Sequence, residues 1–574
     1  MRNGNTKKQP INEPEPRWTE KIYTDDSGED FLGLRSVQGN ITDYLLPGII
    51  TITPRARYYS FYSWLLHEYQ KHHPAGMSLA KFIKRREQIF ALANLLFDEE
   101  SGYGERTSGM IGTRKLTQSL RAVDDKNRIP LNVDDYIGAT YGGYSQFAGV
   151  MRSLEIIQES EDEKSDLYLL PKSKLLAASF EKAISETAYY KDRLNFDTAN
   201  SIHRKILLEY GAKCYLSGLS KAPDRKPVLD VLFGFDAKDV LPDPQSILPR
   251  FGNMALSLGL MLDMLGQTKR VFNDIEFRRC SLYGACRDFP EYHPRSKLKT
   301  VFEHWRMFEI REYYVYALYE IWRYFLDILR REGPLSFEQF IDKLDRVDTA
   351  RITSLLKIKK GSALSQIHLN SFIQTVLKQS DCMGGDFNAS CVAYAGKYKT
   401  ALTEDDLEEI ILGEDTSQEE SMLVSFLLLI SIYLRLKGIS ETDQVGAWHW
   451  AKEGGTRRRS MALFVQRVDE YVRNERSLLD LMEWIFRDYI IAQHTIAALE
   501  KWRQRKVNTF HFSNNSGLYE WVRMDGNGFT ASRFFQAYSM LIDLGLVEFD
   551  KADVPTLSRL GKETLSRVME MLHG

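Results

Sequence analysis

The densest cationic site in the chain is GGTRRRS, Gly454 to Ser460, which follows the aromatic run Trp448-His449-Trp450. Two glycines let a backbone approach a phosphate closely. Arg457, Arg458 and Arg459 supply forked donors that match phosphate oxygens. The neighbouring tryptophans offer faces on which unpaired bases can stack. A second cationic run, EKWRQRKVN over 500–508, carries Arg503, Arg505 and Lys506. Arg55 and Arg57 form a third group, at the start of PRARYYSFYSWLLHEY. Each group also has a structural reading: a solvated loop ahead of a helix, an exposed helix end, or a guanidinium paired with a nearby carboxylate.

Signals for catalysis are sparse. SGYGERTSGMIGTRK, 101–115, is glycine-rich and basic, but it lacks the GxxxxGK[ST] and GxGxxG orders that cradle phosphates and reads as a loop. Cys280 and Cys286 are separated by five residues, and Cys382 and Cys391 by eight. Zinc sites favour cysteines two to four apart, so neither these pairs nor His293 read as a metal site, and buried free thiols are expected. The acids and lysines of 342–360 fall on an ordinary amphipathic helix. His67, His72 and His73 lack a spaced carboxylate partner, and no nucleophile elbow occurs. No cofactor is implied. A nuclease site assembled from distant residues stays open.

These groups must be positioned by a chain of 574 residues, long enough for several domains. Its 43% hydrophobic and 27% charged composition is that of a soluble globular protein. Lys plus Arg is 76 and Asp plus Glu is 78, for a formal charge of -2. A protein that coats nucleic acid is usually basic overall, so phosphate contact here has to be local. Five cysteines in this length point to a reducing compartment. The polar, proline-bearing start has no apolar signal core and reads as a disordered tail over 1–28. MLVSFLLLISIYL, 422–434, is too short to span a bilayer and reads as a buried helix. A cytoplasmic protein without membrane contact is the expectation.

Helical periodicity dominates. In 301–334, Val315, Leu318, Trp322, Phe325 and Leu329 recur on one stripe, and Gly333-Pro334 ends the helix. Further helices are expected at 79–96, 199–218, 247–266, 336–344, 404–411, 422–437 and 461–502. In the aromatic segment, Thr53 is the expected cap and Pro54 suits the first turn. Tyr58, Phe61, Tyr62, Leu65 and Tyr69 then form a packing face.

Two stretches share one order of elements. In 528–572 a helix through Phe534, Tyr538 and Leu541 ends at Gly545; LVEF and PTLS flank the turn DKAD, and RLGKETLSRVMEML closes as a helix. In 141–184 a helix through Phe147 and Leu154 runs into EIIQ; an acidic turn, LYLL and PKSKLLAASF follow, with Glu155 where the other stretch has glycine. The C-terminal stretch resembles the second half of a winged helix-turn-helix domain, and the earlier one echoes it. The resemblance implies a recognition helix starting at Thr530, with Ser532, Arg533 and Gln536 toward base edges. The acidic wing is poor for phosphate, and winged helices in large proteins also contact protein.

The expected fold is therefore mainly α: a multidomain helical protein with small α+β winged-helix-like modules near the N-terminal region and at the C-terminus. The boundaries expected are 29–190, 191–335, 336–475 and 476–574. The stretches LGLRSVQGNITDYLLPGIITITPRARYYSFYSWLL, YGGYSQFAGVM and WRMFEIREYYVYALYEIW also resemble bacterial proteins of gene clusters that defend against phage and mobile DNA. That resemblance implies a partner encoded alongside, an ATPase, helicase or nuclease, and no catalytic residues. Two functions follow as expectations. One is a DNA-recognition or adaptor subunit; the other is a protein-interaction scaffold whose winged folds are structural.

Overall fold

The computed structural model describes residues 30–571 apart from 73–75, 103–109, 122–126, 133–135, 159–167, 236–250, 269–271, 285–291, 357–362, 380–402, 443–445, 455–458 and 506–507. Its axis is one helix, Lys299–Glu332, buried along almost its whole length. Aromatic and aliphatic side chains surround this helix, so every face needs a partner. It packs against Gln418–Thr442, Asp274–Tyr283, Ser36–Leu45 and the strand Leu518–Trp521. Gly333 ends it at φ 84°, a conformation glycine adopts without strain.

The apolar run 422–434 is buried within Gln418–Thr442, and no described helix is long and apolar enough to cross a membrane. Arg435, at its end, is buried too. It meets Glu404 through Nε–Oε1 at 2.5 Å and Nη2–Oε2 at 3.0 Å, and this pairing holds the Glu404 carboxylate below its usual range despite burial. The helix at 404–411 starts where expected, with a capping box between Thr403 and Asp406.

Three expectations are corrected. The helix expected over 461–502 is broken: Met461–Arg473 ends at Asn474, Glu475 takes φ 51°, and Ser477 and Asp480 form a new capping box for Leu478–Trp484. A π-helical stretch, Ile485–Ala492, then leads into Gln493–Arg505. The start of the helix expected at 199 is a strand, Ser201–His203, paired with Arg128–Pro130. Thr53 caps nothing; its Oγ1 bonds within its own turn to Ile50, and the helix begins at Arg57. That helix, Arg57–His72, buries Arg57, Ser60, Trp64 and Glu68 as well as Tyr58, Tyr59 and Tyr62, with Tyr69 half-buried, so the packing surface is wider than one stripe.

Both small α+β units are present. The first runs through Tyr144–Ser153, antiparallel strands Ile157–Gln158 and Tyr168–Leu169, and Pro171–Ile184. The second runs through Phe534–Asp543, strands Val547–Phe549 and Pro555–Leu557, and Arg559–Met571. A separate three-stranded sheet has Leu518–Trp521 at its centre, with Leu335–Ser336 and Phe512–Asn515 as antiparallel neighbours. Buried apolar residues from all these parts form one continuous cluster. Cys214 is a buried free thiol and Cys280 is buried as well, while Cys286, Cys382 and Cys391 lie outside the described residues.

Candidate nucleic-acid interface

Arg55 and Arg57 do not face solvent. Arg55 donates from Nε and Nη2 to both oxygens of Asp543, at 2.9 and 2.8 Å, and from Nη2 to Ser217 Oγ at 2.7 Å. Arg57 clasps Asp224 at 3.1 Å through Nε and Nη2, and donates to the Tyr215 and Lys213 carbonyls at 2.7 and 2.9 Å. Both guanidiniums are buried. Burial together with two-point pairing closes both guanidiniums to a phosphate from solvent. Carboxylates 167 and 488 residues away along the chain occupy them instead.

The three residues expected on a recognition helix are also engaged. The helix starts at Phe534, after Arg533 in the left-handed conformation, and not at Thr530. Thr530 N donates to Glu312 Oε2 at 2.6 Å. Ser532 Oγ donates to Asp274 Oδ1 at 2.6 Å. Arg533 donates to the Ile49 carbonyl at 2.9 Å and pairs with Asp43 at 2.6 Å. Gln536 donates to the Thr51 carbonyl at 2.8 Å. The helix itself packs on Leu216–Lys221, Phe251–Thr268 and Asp274–Tyr283. The helix buries Phe534, Ala537, Met540 and Leu541 against these elements and exposes Phe535, an apolar side chain, while its base-reading candidates are engaged within the protein. On the neighbouring wing, Asp550 accepts from Ala552 N and Val554 N and so closes its own turn.

The arginine-rich loop is only partly described. Arg457 and Arg458 lie outside the described residues. Arg459 pairs with Asp488 at 2.7 Å. The expected stacking platform beside it is corrected. Trp450 is buried, donates from Nε1 to His304 Nδ1 at 2.9 Å, and meets Tyr44 edge-on; Trp448 packs half-buried against the core. In the last cationic run, Arg503 is exposed on Gln493–Arg505. Arg505 ends that helix with a side chain outside the description, and Lys506 lies outside the described residues.

Distance along the chain hid two other groupings. Glu309, Glu312, Asp405 and Glu408 converge with Arg278, Arg279 and Tyr313 inside the protein. Arg279 Nε meets Asp405 at 2.5 Å, Arg278 Nη1 meets Glu408 at 3.3 Å, and the Tyr313 hydroxyl donates to Asp405. Burial pushes the Glu312 and Glu408 carboxyls up to about 7, and Glu309 well above the usual range. Two arginines and the Tyr313 hydroxyl satisfy Asp405 and Glu408 within this cluster. Among the described residues no group of histidines, cysteines and acids is placed to hold a metal ion. The other grouping is aromatic: Phe510, Phe512, Tyr519 and Trp521 line one groove beside Gln493–Arg505. Asn515-Ser516-Gly517 was the available signal, since Ser516 and Gly517 take φ 55° and 89° and make the two-residue turn of a hairpin.

Comparison with protein-family models, curated proteins and solved structures gave no match.

Proposed function

We propose that the chain is a cytoplasmic adaptor subunit of a multi-component bacterial defence assembly, in which the C-terminal winged-helix-like unit is an internal joint and not a DNA reader. One observation carries this reading: the groups a DNA-reading module would present, Ser532, Arg533 and Gln536, are consumed by segment 43–51 and Asp274. The Arg55–Asp543 clasp fixes the same helix from its other end. A rigid body built this way presents a fixed outer surface to partners and needs no conformational cost to do so. The resemblance to defence-cluster proteins supplies the setting and the expected partner, an ATPase, helicase or nuclease encoded alongside.

The test is co-expression with the products of the adjacent genes, followed by purification and a phage-plating assay. The adaptor reading expects a complex of fixed stoichiometry. Reversing the charges of Arg457, Arg458 and Arg459 should leave both that complex and protection intact. Salt-dependent duplex DNA binding by the chain, abolished by the same reversals, would replace this reading with direct DNA recognition.

A further inference from the structure

The aromatic groove noted above encloses about 530 Å³. Its walls differ in chemistry. Phe510, Phe512, Tyr519 and Trp521 provide flat apolar surface, while Asn508 and Ser513 offer amide and hydroxyl groups at the rim. Trp521 Nε1 has no hydrogen-bond partner.

The back of the groove is anchored. His511 N donates to His494 Nε2 at 3.1 Å, the His511 carbonyl accepts from Val522 N at 2.8 Å, and the His511 ring lies 4.3 Å from that of Phe31. The two aromatic strands are therefore held against the core and present a preformed surface.

The helical wall extends the groove. Ile491 and Thr495 line it. At helical spacing Leu499 and Trp502 continue the same stripe, and they are 42% and 47% exposed. Arg503 follows, exposed and without an ion pair among the described residues. An exposed tryptophan on a soluble surface costs solvation, and here it adjoins a free guanidinium and an open aromatic groove. Glu520 lines the strand side, so a polyanion has one favourable side, that of Arg503.

From this arrangement we infer that the groove binds an unpaired segment of nucleic acid. One base enters between the aromatic walls, a second stacks on Trp502, and the connecting phosphate meets Arg503. Flat rings bounded by amide and hydroxyl groups suit a base and its edges. A duplex cannot present an unstacked base, so the site discriminates against it. This contact is separate from the arginine-rich loop and from the C-terminal unit.

The full-length chain alone is titrated into fluorescently labelled oligothymidylate and oligouridylate at low salt and followed by anisotropy. Binding that weakens as salt rises is expected. Trp502→Ala, on the surface, should weaken it about tenfold. Arg503→Glu should remove about one phosphate contact from the salt slope. Three results would each overturn the proposal: no binding at low salt, equal binding to a blunt duplex, or binding indifferent to both variants. A free mononucleotide that binds as tightly as the oligomer would also overturn it. So would a dimer, seen by sedimentation, that Trp502→Ala dissolves. Because no partner protein is present, failure here leaves the adaptor reading to its own test.

Discussion

The two small α+β units turn from helix to strand with the same backbone and are held by different means. In the first, Ile156 N donates to the Met151 carbonyl at 2.9 Å and Glu155 N to that of Arg152, also at 2.9 Å. In the second, Leu546 N donates to the Leu541 carbonyl at 3.0 Å and Gly545 N to that of Ile542 at 2.9 Å. Both are helix ends closed by a left-handed residue. The anchors diverge. The first unit hangs on a neighbouring helix, where Glu87 accepts from Tyr62 Oη at 2.6 Å and from Gly143 N at 2.9 Å. The second is clasped to Arg55, 488 residues earlier. Equal local geometry can therefore serve a hydrogen-bonded joint in one place and a buried ion pair in another.

The ion pair gives the largest expected effect. Asp543→Ala strands a buried guanidinium, which costs about 3–5 kcal/mol when one partner of a buried pair is removed. Thermal unfolding should register the loss, and limited proteolysis should release the 534–571 unit first. Replacing both partners together, Arg55→Met with Asp543→Leu, should recover most of it, since an apolar pair of similar volume needs no charge compensation. If the single and double variants are equally unstable, the clasp is not what holds this unit.

The first unit should respond to pH instead. Burial pushes the Glu87 carboxyl up to about 7. A group whose pKa is raised by folding contributes stability that is complete below its unfolded value and is lost as pH rises through the folded value. Melting temperature should thus fall between about pH 4.5 and pH 7 in part because Glu87 must ionise inside the protein. Glu87→Gln keeps an acceptor and cannot ionise, so its pH slope should be shallower than that of the parent chain. Because Glu312 and Glu408 titrate in the same direction, the difference between the two slopes is the informative quantity. Identical slopes would show that Glu87 does not titrate in this window.

What could be read from the sequence follows the range of the interactions. The 301–334 helix, its glycine stop and both hairpins are set by neighbours in the chain, through periodicity, turn residues and caps. The break after Arg473 was legible as Ser477 with Asp480 three residues on, but unbroken apolar spacing outweighed it. Long-range choices were not legible. Nothing near Arg55 announces Asp543, and nothing near Trp450 announces His304. Arginine and tryptophan are the side chains that serve buried pairing and nucleic-acid contact equally well, so composition alone could not separate the two. The sheet joining Leu335–Ser336 to Leu518–Trp521 is long-range in the same way.

The smallest expected effect concerns the left-handed position of the two turns, a glutamate in one and a glycine in the other. Glu155 holds φ 52° where Gly545 holds 71°. A residue with a Cβ pays about 1–2 kcal/mol in this region. Gly545→Ala should meet that cost and a clash besides, because a Cβ there would lie 2.9 Å from Ser220 Cβ. Glu155→Gly should go the other way and raise stability by up to about 1 kcal/mol, offset slightly by losing the exposed Glu155–Lys172 contact at 3.6 Å. Unfolding midpoints that move in opposite directions for the two variants would establish the turns as equivalent. Destabilisation by both would mean that Glu155 contributes more than its backbone conformation, and that the two units are alike in outline only.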